Sequence, residues 1–562
     1  MADSSTSDRQ QVVVVTGGGA GIGAAIAEAV GRSGAYVVTV DPGVTVDGLG
    51  RDDAPSETTA DRIVAAGGAA RASNTSVTDS AGIDALFVGL VDEFGGLDAV
   101  INVAGIARPS GYAEGDEDAW SSVLSVHLDG YLNVLRSALP IMSAAGRGRI
   151  LGVTSGSGWR PANAGAYSCA KRAVAALTWQ LGKATPAGVT VNALSPIAAT
   201  RMVTSGLRQQ APASSAGDQS QTGGLSLAIA AMPSPEQLGP VGAYLASDAF
   251  GWSSGHIIFS NGSEVAQILP PRVLEVARIT DVVDLAHALD VVIPAAFVPA
   301  EAAQETNGAS NGRFEDVFDE TSPERGEPSG AQSCLVVTDD PQLESGMRDA
   351  LASRGVKIVG IGSGAAATDF VGAARQLAQA ARDAGGIDAV VVARRGSAVG
   401  GSGAPWEQVL AEHAGIVDAI RSDVAWVRAV SDHARESGRP MRVVTVTDGT
   451  TSGGRSRAQA AAQLSRAAHL VADVETDAFA ISVETDAASR ASSVGELVGY
   501  LVGADGAGAM SGAELVVDAA WIGLRSHPHP DGSISFGGPE LPGWVDDTLR
   551  TMVQGASARS GA

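Results

Sequence analysis

Residues 12–41 read as strand, glycine turn, helix and strand, an order that leaves few folds open. Val12, Val13, Val14 and Val15 form a continuous apolar run. Short runs of this kind mark parallel strands buried on both faces. The turn Thr16-Gly17-Gly18-Gly19-Ala20-Gly21-Ile22-Gly23 follows, then a helical stretch to Val30 and a second apolar run over residues 35–40. A strand that turns tightly into a helix and then a second strand opens a doubly wound α/β domain. Further strands are predicted over 99–103, 149–153, 190–194 and 256–259, with helices over 80–94 and 166–182.

The turn carries the first chemistry. A phosphate needs close backbone approach there, which a β-carbon obstructs, and the helix N-terminus offers unsatisfied N–H donors. The glycines also serve a plain conformational turn. No Gly-Lys-Ser/Thr follows, which disfavours a nucleoside triphosphatase loop. Asp41 ends the second strand. A carboxylate there accepts both ribose hydroxyls of an adenosine and repels a 2′-phosphate, which favours NAD over NADP. With Pro42 beside it, Asp41 also reads as a strand-end cap.

The second half repeats the first. Gly385-Gly386-Ile387-Asp388-Ala389-Val390 matches Gly95-Gly96-Leu97-Asp98-Ala99-Val100 at an offset of about 290, which falls to about 256 at Tyr500-Leu501 against Tyr244-Leu245. The second copy therefore lacks a stretch matching residues 200–235. Residues 301–332 are polar and read as a linker. The expected division is a catalytic domain over 1–262, a connecting segment over 263–332 with a helix over 281–292, and a degenerate copy over 333–562. Trp521 and Trp544 are expected to anchor the C-terminal segment.

Tyr167-Ser168-Cys169-Ala170-Lys171 places Tyr167 and Lys171 four apart, on one helix face. A nearby ammonium favours the phenolate and lowers the tyrosine pKa, which suits acid/base work. A surface Tyr–Lys pair has the same spacing. Upstream, Thr154, Ser155 and Ser157 offer hydroxyls to a carbonyl oxygen, or simply make a turn.

Together these pieces resemble the classical short-chain dehydrogenase/reductase family over residues 12–262. The matching motifs are Thr16-Gly17-x-x-x-Gly21-x-Gly23, Asn102-Val103-Ala104-Gly105, Ser155 with Tyr167-x-x-x-Lys171, Val191-Asn192-Ala193 and Ser254-Gly255. The resemblance implies a seven-stranded parallel sheet binding NAD(H) or NADP(H), with hydride exchange between a secondary alcohol or ketone carbon and the nicotinamide. Tyr167 would be the general acid/base, Lys171 would bind the nicotinamide ribose, and Ser155 would hold the substrate oxygen. Thr16, Gly17, Gly19, Gly21, Ile22 and Gly23 would surround the pyrophosphate. Asp41 would take the adenosine ribose, with Ser76 and Val77 beside the adenine. Asn102, Ala104, Gly105, Pro196, Ile197 and Thr200 would complete the cofactor site.

The departures are informative. Val103 stands where the family has a second Asn, Ser76 where it has Asp, and Ile197 where Gly follows Pro196. The serine register leaves Thr154 and Ser157 open beside Ser155. His127 replaces the family's catalytic Asn in Trp120-Ser-Ser-Val123-Leu-Ser-Val126-His127-Leu128. It either relays a proton or keeps only a backbone role. Histidine there is similar to the D-3-hydroxyacyl-CoA dehydrogenase domain of peroxisomal multifunctional enzymes, which points to an acyl-thioester or bulky alicyclic substrate; a local substitution with no bearing on the substrate reads equally well. Residues 200–235 fall at the family's mobile substrate loop and read either as an apolar lid carrying Leu225, Ile229 and Met232 or as an unstructured insertion. In the second copy Thr338-Asp339-Asp340-Pro341-Gln342 replaces the glycine turn, and neither Tyr nor Lys recurs near Arg457. A catalytically silent domain that replaces one partner of a dimeric enzyme is expected, and a homodimer of such fused pairs.

A net charge of −24 opposes nucleic-acid and anionic-membrane binding, and no run of 18 apolar residues is apparent. Two cysteines, Cys169 and Cys334, fit a reducing cytoplasm, and the polar first residues lack a signal core. Cys169 reads as a small buried helix residue. No metal-ligand spacing is seen, and His527-Pro528-His529-Pro530 reads as a stiff surface loop. Three readings remain: an NAD(H) enzyme, an NADPH-dependent 3-ketoacyl reductase, and a non-catalytic nucleotide-sensing scaffold.

Overall fold

The computed structural model describes residues 9–51, 55–160, 165–203, 232–279, 284–304, 330–361, 366–394, 403–470, 476–485 and 487–560. The first half supplies β1 (Val12–Thr16), β2 (Tyr36–Val40), β3 (Ala69–Ser73), β4 (Ala99–Asn102), β5 (Gly148–Val153), β6 (Val189–Pro196), β7 (Ile257–Ser260), β8 (Glu264–Leu269) and β9 (Val273–Arg278). The second supplies β10 (Ser333–Thr338), β11 (Lys357–Ile361), β12 (Ala389–Ala393), β13 (Met441–Asp448), β14 (Thr476–Val483), β15 (Glu514–Val517), β16 (Trp521–Arg525) and β17 (His529–Ser535). They form two sheets, ordered β17-β8-β7-β6-β5-β4-β1-β2-β3 and β11-β10-β12-β13-β14-β15-β16-β9. Strands β1 to β7 are parallel, as are β10 to β15. Helices connect the strands of each sheet, giving two doubly wound α/β units in tandem. The valines of β1 are buried on both faces, as the apolar run requires.

The seven-stranded sheet implied by the sequence is extended by two antiparallel strands. β8 turns back on β7, and β17 from the far end of the chain pairs with β8. Reciprocally, β9 leaves the first half to pair with β16. Part of the expected connecting segment is thus sheet, one strand in each unit. The helix Trp544–Ser560 then lies on the first unit, where Val545, Leu549 and Val553 join Val241, Leu245 and Phe250. These three residues anchor the C-terminus. Trp544 does not, being 50% exposed. His527 also departs from expectation. It is buried, its Nε2 standing 3.1 Å from Glu301, rather than lying on a surface loop.

The predicted helix over 281–292 is found at Leu285–Val292 and continues through a π-turn to Ala302. Leu285–Ala302 is long and apolar enough to cross a bilayer, which inspection of the sequence does not reveal. Its Leu289, Ile293 and Phe297 pack into the second core, and Asp290 pairs with Arg354 at 2.9 Å. The polar segment 305–329 and most of the loop after Thr200, including Leu225 and Ile229, lie outside the described residues.

One hydrophobic core spans the two units. The helix Gly165–Ala184 packs on Ser452–Leu470, and the buried Tyr112 hydroxyl donates to the Val427 carbonyl at 2.9 Å.

Candidate active site

The strand order reverses beside β1, and the crevice opens at the carboxyl ends of β1 and β4. Gly17 sits at φ +65°, and a Cβ there would lie 2.8 Å from the Ala104 nitrogen. Only glycine lets the turn approach β4 this closely. Thr16 Oγ1 donates to Asn102 Oδ1 at 2.7 Å, joining the ends of the two strands. The following helix, Gly21–Arg32, has Ala20 at its N-cap and no side-chain cap. Its first N–H groups therefore stay available to an anion in the cleft.

That cleft measures about 830 Å³. Gly17, Gly21, Ile22 and Gly23 line one part, and Asp41, Ser76 and Val77 another. Asp41 is oriented by the backbone: its carboxylate accepts the Gly19 N–H at 3.2 Å and the Gly43 N–H at 3.0 Å. Ala104, Gly105, Pro196 and Thr200 line the inner part. Thr16, Gly19, Asn102 and Ile197 are not among the residues that line the cleft. Ile197 continues β6, giving its N–H to Ser260 at 3.0 Å, and it packs towards Trp159 and Phe259.

Tyr167, Lys171, Ser155 and His127 all reach the same cleft. Ser155 caps the 3-10 turn Gly156–Gly158, and its Oγ lies 3.0 Å from Ser157 Oγ. Thr154 also borders the cleft, but its hydroxyl is spent on the Lys171 carbonyl at 2.7 Å. Ser157 is buried beneath the turn. Of the three hydroxyl candidates, Ser155 is the one that borders the cleft without its hydroxyl being committed to a backbone carbonyl.

Lys171 is buried, and its Nζ donates to the Val153 carbonyl at 2.7 Å. Burial draws its pKa down to about 7. The expected lowering of the Tyr167 pKa is not found. Burial pushes the phenol up, while the Ser155 hydrogen bond pulls less strongly the other way. The ammonium lies 5.6 Å from the ring centroid and points at a backbone carbonyl instead of the phenol.

His127 lies in a π-turn, Ser125–Asp129, that interrupts the helix begun at Glu117. Its Nε2 sits 2.8 Å from the Ile106 carbonyl and 3.1 Å from the Ile106 nitrogen. Its ring stands edge-on to Tyr167, centroids 5.0 Å apart at 88°. Burial, and then the Lys171 charge, lower its pKa to about 3, so the imidazole is neutral at ordinary pH. A Cβ on Gly105 would strike the ring at 2.4 Å, so histidine requires glycine there.

The sequence motifs do not reveal the rim formed by Thr45, Val46 and Gly48. Val46 accepts the Ala107 N–H at 2.8 Å, and Arg108 Nε donates to the Asp47 carbonyl at 2.9 Å. The glycines at 43, 48 and 50 were the available signal for this excursion. Arg108 borders the cleft too, but its other contacts hold it to Asp118 and Ser122, both at 2.8 Å.

The second unit differs where its first strand meets its helix. Asp340 is buried and caps the helix Pro341–Ser353, accepting N–H groups from Gln342 at 3.0 Å and Leu343 at 3.3 Å. A carboxylate thus occupies the helix end that the first unit leaves open. The helices starting at Gly165 and Ser452 correspond, so Gly454 matches Tyr167 and Ala458 matches Lys171.

Residues 11–211 match the family model described as short chain dehydrogenase. The cis-4-hydroxycyclohexanecarboxylate dehydrogenase of Sinomonas cyclohexanicum is 35% identical over 260 residues, covering 46% of this chain and 97% of that protein. The peroxisomal hydratase-dehydrogenase-epimerase of Saccharomyces cerevisiae is 35% identical over 201 residues, 35% of this chain, but the match spans only 22% of the yeast protein. Among solved structures, the NADP-bound N-domain of a bacterial malonyl-CoA reductase aligns with a TM-score of 0.64 at 16% identity, covering 91% of this chain and 97% of that one. It shares the fold across both units.

Proposed function

The chain belongs to the short-chain dehydrogenase/reductase family and is an NAD(P)-dependent oxidoreductase of CH–OH groups; from that premise we propose that its first unit interconverts a secondary alcohol and a ketone using NAD(H). One observation carries the reading. Ser155, Tyr167 and Lys171 share a single cleft with an open glycine turn and Asp41. When bound, the nicotinamide supplies the hydride acceptor for oxidation and the donor for reduction. Gly17 and Gly21, with no Cβ, and the uncapped N–H groups of the following helix suit a pyrophosphate.

In the reducing direction Tyr167 Oη, kept protonated by burial, gives its proton to the substrate's carbonyl oxygen as the alcohol forms; oxidation is the reverse and requires the phenolate. Ser155 Oγ donates a hydrogen bond to that oxygen and holds it against the phenol. Lys171 lies one turn along the same helix, where it would hold the nicotinamide ribose. His127, neutral and anchored to Ile106, positions the Tyr167 ring by packing and is no proton carrier.

NAD is favoured over NADP by Asp41, an acceptor whose charge opposes a 2′-phosphate. Arg108, the cation on that rim, is already committed to Asp47, Asp118 and Ser122. The activity for which the Sinomonas relative is named supports an alicyclic substrate, and the imidazole beside the tyrosine keeps a hydroxyacyl thioester as the alternative that the family resemblance implies. The second unit is proposed to be catalytically silent, standing where a partner subunit would pack.

The test is a panel of secondary alcohols, including cis-4-hydroxycyclohexanecarboxylate and a 3-hydroxyacyl-CoA, monitored at the reduced-nicotinamide absorbance band with NAD. Growth of that band supports the reading. NADH binding with no turnover on any alcohol or ketone would favour a nucleotide-sensing scaffold.

A further inference from the structure

The turn that carries Ser155 is held from the opposite unit. Residues 156–160 run from the serine cap across the helix of Tyr167 and Lys171, and a Cβ on Gly158 would lie 3.1 Å from the Arg172 nitrogen. Three carbonyls of this turn accept hydrogen bonds from the second unit's helix Ser452–Leu470. Gln463 Nε2 donates to the Ser157 carbonyl at 3.2 Å and to the Arg160 carbonyl at 2.9 Å. Arg466 donates to the Trp159 carbonyl at 2.5 Å. Both side chains are buried, as is Trp159.

Gln463 is itself fixed. Its Oε1 accepts from Arg172 at 3.3 Å, and Arg172 also donates to Gln459 at 3.0 Å. A side-chain amide held at its oxygen has its N–H groups aimed in one direction, here at the Ser155 turn. Buried carbonyls deprived of these donors would be left unsatisfied or would shift to find water. The arrangement is one-sided, since Ala176 and Trp179 occupy the matching positions of the first unit's helix.

We propose that Gln463 and Arg466 are positioning residues for the first unit's reaction, setting the Ser155 hydroxyl against Tyr167 from the silent unit. This rests on the catalytic reading above. The second unit thereby acquires a chemical role, because its three hydrogen bonds fix the serine turn to the tenths of an ångström that catalysis demands. Misplacing a reacting group by about 1 Å costs on the order of 100-fold in rate.

The test uses the full chain with Gln463→Glu, Arg466→Met, the double variant, and Arg466→Lys. Gln463→Glu keeps an acceptor for Arg172 but loses both donors; Arg466→Lys keeps one donor. The inference expects kcat to fall about 10- to 100-fold in the double variant. NADH affinity should stay within about twofold, and Arg466→Lys should regain most of the rate lost in Arg466→Met. Hydrogen–deuterium exchange of the 155–160 amides should quicken in the double variant while that of the glycine turn does not. Unchanged exchange over 155–160 would overturn the inference even if the parent protein showed no turnover. Exchange that quickens in a parent inactive on every substrate would uphold the clamp and refute the catalytic reading instead. Equal loss in Arg466→Lys and Arg466→Met, or a matched loss of NADH affinity, would show mere destabilisation and also overturn it.

Discussion

Arg172, the residue after Lys171, donates at 2.8 Å to Glu514 of β15, and both side chains are completely buried at the junction of the two units. The pair is further tied by Gln459, which accepts from Arg172 and donates to Glu514 at 2.5 Å. Removing one member strands a buried charge. Arg172→Ala should therefore cost about 3–5 kcal/mol of stability, whereas Arg172→Met with Glu514→Leu should cost less, because no charge is left buried and the amides of Gln459 and Gln463 are the main groups to lose partners. Urea unfolding of the single and double variants measures both.

Lys171 and His127 should make the protein acid-sensitive. Burial lowers the Lys171 pKa from 10.5 to about 7, and that of His127 from 6.5 to about 3. In each window the unfolded chain binds a proton that the folded chain resists, so stability falls as pH falls, from 10.5 to 7 for the lysine and from 6.5 to 3 for the histidine. Lys171→Met should abolish turnover yet raise the urea midpoint at about pH 6, with the gain shrinking towards about pH 10. His127→Asn should flatten the acid limb below about pH 6.5.

Asp41 should decide between the two cofactors. Replacing it by serine removes the charge that opposes a 2′-phosphate and keeps a hydrogen-bonding group near the Gly19 and Gly43 N–H groups. Asp41→Ser should tighten NADPH by about tenfold or more and weaken NADH, read by fluorescence titration. Equal affinities in the parent would refute the assignment to NAD.

One cofactor should bind per chain. Calorimetric titration with NADH should give a stoichiometry of one, and Gly17→Ala should abolish the heat because its Cβ meets Ala104. Asp340→Ala removes a helix cap, costs about 1 kcal/mol, and should add no second site.

Much of this was legible in the sequence. The buried strands show as apolar runs, and the glycine turn shows because a phosphate-approaching backbone tolerates few other residues. The exchange of β9 and β17 was not legible. Each is short and half exposed, and its partner strand lies more than half the unit away in sequence, so no local periodicity announces it. The π-turn at His127 and the orientation of Lys171 towards Val153 were also hidden, since both are set by tertiary packing. At the C-terminal helix the larger side chain, Trp544, faces solvent while its smaller neighbour Val545 faces the core, which side-chain size does not announce. His527 misled because flanking prolines suggested a surface loop while Glu301 drew it inside.

The most direct test of the central claim is the rate of the Tyr167→Phe variant. Phenylalanine keeps the ring against His127 and removes only the Oη that moves the proton. With a substrate found in the alcohol panel, turnover at the reduced-nicotinamide band should fall at least about 1,000-fold while NADH still binds, because the positioned acid/base is lost. Turnover within about tenfold of the parent would contradict the account.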